Sequence, residues 1–230
     1  MAIRQTVSAT ALRTLSLFNG LEMDRLEAVA QLATMRRVSR GTVVLRAGEQ
    51  PDNVYFVLNG SLKVMVSDSE GREVILTIIG QGDLFGEMSG LDAEPRSATV
   101  AAIAASDLVV VSQQDFRQLL ANNFDICLRV MGNLANRLRE ADRKIESLAL
   151  MDVYGRVARL LLDLAEEHNG EMVVRKRISK QDIAKMIGAS REMVSRVMKD
   201  LQARGLVRER HYGLVLLDSR RKAADAAPVV

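Results

Sequence analysis

The sequence predicts a mixed α+β chain made of three kinds of segment. Residues 35–112 hold short β-branched runs at regular spacing, broken by Gly, Asn and Asp. That pattern reads as an all-β sandwich or barrel. Residues 120–148 carry apolar side chains alternately four and three apart, the repeat of a paired-helix seam. Residues 177–207 read as two short capped helices joined through a glycine turn, a helix-turn-helix.

Composition narrows the function classes. The chain has 230 residues, 48% hydrophobic and 27% charged, a balance that fits globular cores. Aromatics are only 3% and there is no Trp, so those cores must be aliphatic. Charge is uneven. Residues 1–170 hold 18 basic and 22 acidic side chains, net −4, whereas residues 171–230 hold 14 and 7, net +7. A basic C-terminal module on a mildly acidic body points to a polyanion partner. The single cysteine, Cys127, cannot form an internal disulfide or hold an iron–sulfur cluster alone. Two histidines, His168 and His211, argue against a multi-histidine metal or haem site. No metal or redox cofactor is expected. The apolar runs fall far short of the ~20 residues that cross a bilayer. The first residues scatter arginine without a compact apolar core or cleavage signature. A cytoplasmic protein with no membrane partner is therefore expected.

The elements follow in order. Residues 10–33 predict a helix through Leu12, Leu15 and Leu17, interrupted at Asn19-Gly20 and resumed by Leu21, Leu26, Val29 and Leu32. Strands are expected at Thr42–Leu45, Val54–Leu58, Leu62–Val66, Val74–Ile79, Ala98–Ile103 and Leu108–Val111. Asn59-Gly60 between two of them is a hairpin signal, because both residues tolerate positive φ. Asn122 or Asn123 is a candidate cap for the next helix, with Asp125 in its first turn. Its seam runs Leu120, Phe124, Cys127, Met131, Leu134, Leu138, Ala141, Ile145 and Leu148, giving a helix roughly 40 Å long. Packing on its own domain requires only a 3.6-residue period. The strict alternation and the charged flank of Arg137, Arg139, Glu140, Asp142, Arg143 and Lys144 favour a seam between two copies. A further helix over 152–168 carries Val153, Val157, Leu160, Leu161 and Leu164 and ends at His168-Asn169-Gly170. A short strand over Met172–Val174 follows.

The stretch RISKQDIAKMIGASREMVSRVMKDLQARGLV, residues 177–207, is the most informative. Ser179 with Asp182 three residues on is a capping box for a helix over 180–187. Gly188-Ala189 makes the turn, and Ser190 caps a second helix over 191–203. Val194, Val197 and Leu201 face inward; Arg191, Glu192, Ser195, Arg196 and Lys199 face outward. In a helix-turn-helix the second helix enters the major groove. Arginine forks onto guanine O6 and N7, and glutamate accepts from cytosine N4. Arg191, Glu192 and Arg196 are thus the candidate base readers. Lys180, Ser190, Lys199, Arg204 and Arg208 are candidates for phosphate contact. Leu206–Val207 and Tyr212–Leu217 around Gly213 read as a two-stranded wing.

A second constellation is LFGEMSGLDAEPRSATV, residues 84–100. Gly86 permits close backbone approach to a ligand, Glu87 can accept from a ribose hydroxyl, and Arg96 can fork onto a cyclic phosphate. Ser97 or backbone N–H groups complete an anion site. Met88 and Ala98 belong to the same candidate effector site. The competing reading is a buried Arg96–Glu87 pair that closes a corner without ligand.

Together LFGEMSGLDAEPRSATV and SREMVSRVMKDL (190–201) resemble the cyclic AMP receptor protein / fumarate–nitrate regulator superfamily, over almost the full chain. The resemblance implies an N-terminal double-stranded β-roll of the cyclic-nucleotide-binding type over 1–115, with flanking helices. It implies a dimerisation helix over 116–150, a winged helix-turn-helix over 151–222 and a disordered tail over 223–230. It gives effector contacts to Glu87, Arg96 and Ser97 and base contacts to Arg191, Glu192 and Arg196. Met193 stands where the cyclic AMP receptor protein has Thr. Ala141 and Asp142 stand where it has the Thr-Ser pair that meets adenine. The phosphate and ribose contacts look retained and the base contact does not, so cyclic AMP and cyclic di-GMP are both candidate effectors. Effector would touch the long helix near Arg137–Asp142. The implied function is a homodimeric transcription regulator on a pseudo-palindromic operator in double-stranded DNA, with RNA polymerase as a further partner. Two rivals are a cyclic-nucleotide-binding protein that acts on a protein partner and a family regulator that needs no nucleotide. An enzyme is not expected, for the sequence holds no phosphate-binding loop and no nucleophile–His–acid signature.

Overall fold

The computed structural model describes residues 5–175 and 178–217. The expected tail over 223–230, and the end of the domain expected to close at 222, lie outside the described residues. The chain divides into two compact units, Met1–Arg139 and Glu140–Val230.

The first unit begins with β1 (Gln5–Thr6), α1 (Ala9–Leu12), a 3₁₀ turn at Ser16–Phe18 and α2 (Met23–Leu32). The interruption at Asn19-Gly20 is real, with Gly20 at φ 80°. The eight strands of the roll then continue as β2 (Ala33–Val38), β3 (Val43–Leu45), β4 (Asn53–Asn59), β5 (Ser61–Ser67), β6 (Glu73–Gly80), β7 (Leu84–Phe85), β8 (Thr99–Ala102) and β9 (Ser106–Ser112). They form two sheets, ordered β1-β2-β9-β4-β7 and β3-β8-β5-β6. Strands β2 and β7 were not expected. The first has its two arginines, Arg36 and Arg37, on an otherwise weakly apolar run.

The Asn59-Gly60 expectation is corrected. Strands β4 and β5 do not pair; they lie in different sheets. Gly60, at φ 99°, turns the corner between them, and a Cβ there would fall 2.6 Å from the Ala105 carbonyl oxygen. The positive φ that marks a hairpin also suits a sheet-to-sheet corner.

Strand β4 shows why its run VYFVL has no alternation. Tyr55 and Val57 enter the core between the sheets, with Leu62, Phe85, Val100 and Leu108. Val54 and Phe56 enter a second core under the helices, with Leu12, Phe18, Leu26 and Phe116. A strand buried on both faces is apolar throughout.

The long helix expected from 116 is two helices, α4 (Gln113–Asn122) and α5 (Phe124–Leu150). Asn123 separates them at φ −140° and ψ 89°. Its Nδ2 donates to the Leu119 carbonyl at 2.9 Å, capping α4, while its own carbonyl accepts from Cys127 N and opens α5. Phe116 and Leu119 therefore belong to the roll's core. Helix α5 buries Ile126 and Val130 against that same core.

In the second unit, α6 (Val153–Leu164) starts on Asp152, whose side chain accepts from Gly155 N. The helix stops short of the expected 168. Glu166–His168 is instead strand β10, paired with β11 (Glu171–Val174). Asn169 and Gly170 are at φ 51° and 78°, the conformation of a two-residue hairpin. Helices α7 (Lys180–Ile187) and α8 (Arg191–Ala203) follow, then β12 (Val207–Arg210) and β13 (Gly213–Leu216). The sheet order is β10-β11-β13-β12, so the expected wing is half of a four-stranded sheet.

Candidate functional site: a buried charge cassette and an exposed reading helix

The cassette lies in the first unit. Strand β7 delivers Gly86, at φ 77°, which starts the short helix α3 (Glu87–Asp92). Glu87 and Arg96 are both buried, at 2% and 4% exposure, but they are not each other's hydrogen-bond partner. Arg137 of α5 takes Glu87: its Nη1 donates to Glu87 Oε1 at 2.7 Å, and its Nη2 donates to the Leu84 carbonyl. Burial pushes the Glu87 carboxyl above its usual range, opposed by the nearby Arg137 charge. Oε2 of Glu87 is buried with no hydrogen-bond partner among the described residues. Arg96 is committed elsewhere. Its Nη1 donates to the Gly86 carbonyl at 2.7 Å, and its Nη2 donates to the Asn53 carbonyl at 2.6 Å. Asp52 Oδ1 lies 3.4 Å from Nη2. A Cβ on Gly86 would sit 2.9 Å from Arg96 Nη1, so the glycine makes room for the arginine. The Arg96–Glu87 closure of the competing reading is thus replaced by two separate clamps. Asp52 and Asn53, which sequence reasoning missed, hold one of them. Met88 and Ser97 are exposed and Ala98 is half-buried.

The second constellation is built the opposite way. Ser179 accepts from Asp182 N and donates to its carboxylate at 2.6 Å, which fixes the start of α7. Gly188 ends that helix in the left-handed region, at φ 63°. Ser190 then caps α8 by accepting from Met193 N at 3.2 Å. The inward side of α8 carries Val194, Met198 and Leu201. Val197 is only half-buried, so Met198 holds the core place expected for it; a strict 3.6-residue period from Val194 finds it. Arg191, Glu192 and Arg196 are all exposed. None is in an ion pair among the described residues.

Residues 35–123 match the cyclic nucleotide-binding domain family, and residues 155–221 match the Crp-like helix-turn-helix domain family. The chain is 34% identical to the cAMP-activated global transcriptional regulator Vfr of Pseudomonas aeruginosa, over 80% of this chain and 90% of that protein. The chain belongs to the Crp/Fnr superfamily of transcription regulators. A CRP-like cAMP-activated global transcriptional regulator of Mycobacterium tuberculosis is 32% identical over 91% of this chain and 96% of its own length. Among solved structures, the c-di-GMP responsive global regulator CLP of Xanthomonas campestris superposes with a TM-score of 0.72 at 30% identity. It covers 86% of this chain and 100% of that one.

The remaining Crp/Fnr-type positions are placed as follows. Lys180, Lys199 and Arg208 are exposed. Arg204 is exposed but engaged: its Nε lies 2.8 Å from Asp200 Oδ2, and its guanidinium sits 5.8 Å from the centre of the Tyr154 ring. Along α5, Phe124, Met131, Leu138, Ile145 and Leu148 are exposed large apolar residues. Ala141 and Asp142 are exposed and Cys127 is half-buried. Leu134 and the preceding Leu120 correct the seam: both pack partly against the helical core of their own unit. The seam and the core-facing side of α5 adjoin, and Leu134 lies on their border. No helix among the described residues is long and apolar enough to cross a membrane. No group of three or more His, Cys, Asp or Glu among them could hold a metal ion.

Proposed function

We propose that the chain is a homodimeric, sequence-specific DNA-binding regulator whose β-roll takes a cyclic nucleotide, cyclic AMP or cyclic di-GMP. It works on a pseudo-palindromic operator, without catalysis, and addresses RNA polymerase as a further partner. One observation carries the DNA-reading half. Arg191, Glu192 and Arg196 stand exposed on a helix whose other face is buried. That leaves their donors and acceptors for base edges in the major groove. Lys180, Ser190, Lys199 and Arg208 supply phosphate contacts, which position without reading sequence. Arg204 makes its contact after exchanging Asp200 for a phosphate.

The exposed row of Phe124, Met131, Leu138, Ile145 and Leu148 supports pairing of two copies through α5, with Cys127 and Ala141 in the same seam. Two reading helices would then meet half-sites about one DNA turn apart. In the cassette, the unpartnered Oε2 of Glu87 is the acceptor for a ribose hydroxyl. Arg96 and Ser97 face the phosphate, with Gly86, Met88 and Ala98 around them and Arg137, Ala141 and Asp142 on the helix side. Regulation requires that effector bind two states of the protein unequally. A second reading, a family regulator that needs no nucleotide, is favoured by one fact: Arg96 already gives donors of both Nη1 and Nη2 to Gly86, Asn53 and Asp52.

Equilibrium binding at fixed salt, on operators changed one base pair at a time, tests the DNA-reading half. Selectivity concentrated at the pairs facing Arg191, Glu192 and Arg196 supports it; equal affinity for all sequences contradicts it. Calorimetric titration with cyclic AMP and cyclic di-GMP separates the two effector readings. Saturable binding of either supports the nucleotide, and no binding of both supports the second.

A further inference from the structure

A cleft of about 350 Å³ opens on the first unit, and none of the cassette side chains lines it. The 3₁₀ turn contributes Ser16 and Leu17, and α5 contributes Arg129, Gly132, Asn133, Asn136 and Arg139. At 3.6 residues per turn, these α5 positions lie roughly 160° round the helix from Cys127, Met131, Leu134 and Leu138. Pairing two copies through the seam leaves the cleft open.

Its lining is rich in donors and holds no carboxylate. Neither Arg129 nor Arg139 is in an ion pair among the described residues. Arg129 is nonetheless held in place, because its Nη1 donates to the carbonyls of Leu17 and Asn19. Neutral carbonyls fix the guanidinium without cancelling its charge. Arg139 Nη2 donates to Asn136 Oδ1, which leaves the Asn136 Nδ2 donors free to turn inward. Asn133 adds a second amide.

Gly132 is the independent observation. It sits inside a 27-residue helix, where glycine is a poor choice. A Cβ there would meet nothing within 4 Å, so packing does not call for it. What a bare backbone does offer is close approach to a ligand.

We propose that this cleft is a second ligand site, which takes a small phosphorylated anion over the Gly132 backbone. Arg129 and Arg139 carry its charge, and Asn133 and Asn136 bond its remaining oxygens. Guanidinium forks fit carboxylate and phosphate alike. Two uncompensated positive charges favour the doubly charged phosphate.

The test is calorimetric titration of the full chain with inorganic pyrophosphate, with acetate at matched ionic strength as the second arm. Arg139→Gln removes a charge. Gly132→Leu sets a side chain over that backbone, at a position where a Cβ meets nothing within 4 Å, and its thermal midpoint stays level or rises, since leucine is the better helix former. Arg40→Gln, an exposed arginine between β2 and β3, is the control. Pyrophosphate binding is expected to weaken about tenfold or more in the first two variants and to persist in the control. Equal binding in all four proteins overturns the proposal, as does no binding to the unsubstituted chain at millimolar pyrophosphate. Acetate binding as tightly as pyrophosphate overturns the phosphate assignment. None of these substitutions touches the cassette, so the result stands apart from the effector reading above.

Discussion

The two charged constellations of this chain use the same residue types in opposite surroundings. In the cassette, Glu87 and Arg96 are buried and bonded to their own protein. On α8, Arg191, Glu192 and Arg196 are exposed and unpaired among the described residues. A buried guanidinium spends its donors on carbonyls that would otherwise go unsatisfied. An exposed one keeps them for a partner. The cassette charges therefore hold the fold as well as any ligand, whereas the α8 charges are dispensable to folding.

That contrast predicts a ranked series of effects. The largest is at Arg96. Sequence alone suggests that Arg96→Leu spares the fold. The structure predicts otherwise, since the change strands the Gly86 and Asn53 carbonyls, and a loss of about 3 kcal/mol in denaturant unfolding is expected. Unchanged stability would erase the distinction between the two regions. Next, Arg191→Ala or Arg196→Ala should cost about 1–3 kcal/mol of DNA binding, at one base pair, with unfolding unchanged. Ser190→Ala removes the α8 cap and should lower stability by about 1 kcal/mol, measured by chemical denaturation. Lys199→Ala should weaken binding to all sequences alike and reduce the slope of log affinity against log salt by about 1.

The smallest effect sharpens the cassette side. Burial raises the Glu87 pKa in the folded state. The folded chain then holds its proton to higher pH than the unfolded chain does. The sign follows: Glu87's contribution to stability is greatest below the ordinary carboxylate range and declines as pH rises through the elevated pKa. Glu87→Gln should flatten that decline in stability curves measured at a series of pH values. An identical pH profile in the two proteins would show that the carboxyl titrates as if exposed.

The same contrast explains what was legible in the sequence. The bounds of α7 and α8 were legible to the residue, because Ser179 and Ser190 fix their starts through bonds three residues away and Gly188 ends the first in the left-handed region, whereas the inward Met198 was not. The partners of Arg96 were not, because Asp52 and Asn53 are more than forty residues distant in sequence. Asn59-Gly60 and Asn169-Gly170 show the limit from another side. Positive φ suits a hairpin, a helix end or a sheet corner, and only distant strands decide which. Strand β2 escaped notice because it is paired on both sides, to β1 and β9, by partners its own composition does not announce. The start of α5 was legible in Asn123 and Asp125, but the separate helix α4 before it was not, because the apolar repeat runs across the break although Leu120 serves the roll and Phe124 lies exposed.

The central claim is that the α5 seam joins two copies, so that two α8 helices read one operator. Cys127 is the chain's single cysteine and lies in that seam. The direct measurement is cross-linking of the native chain at low concentration with a short bismaleimide, read on a denaturing gel. The account predicts a band at twice the 25.4 kDa chain mass, lost in Leu138→Glu. A band at the single-chain mass, from a protein that also sediments as a monomer and still binds its operator, would contradict it.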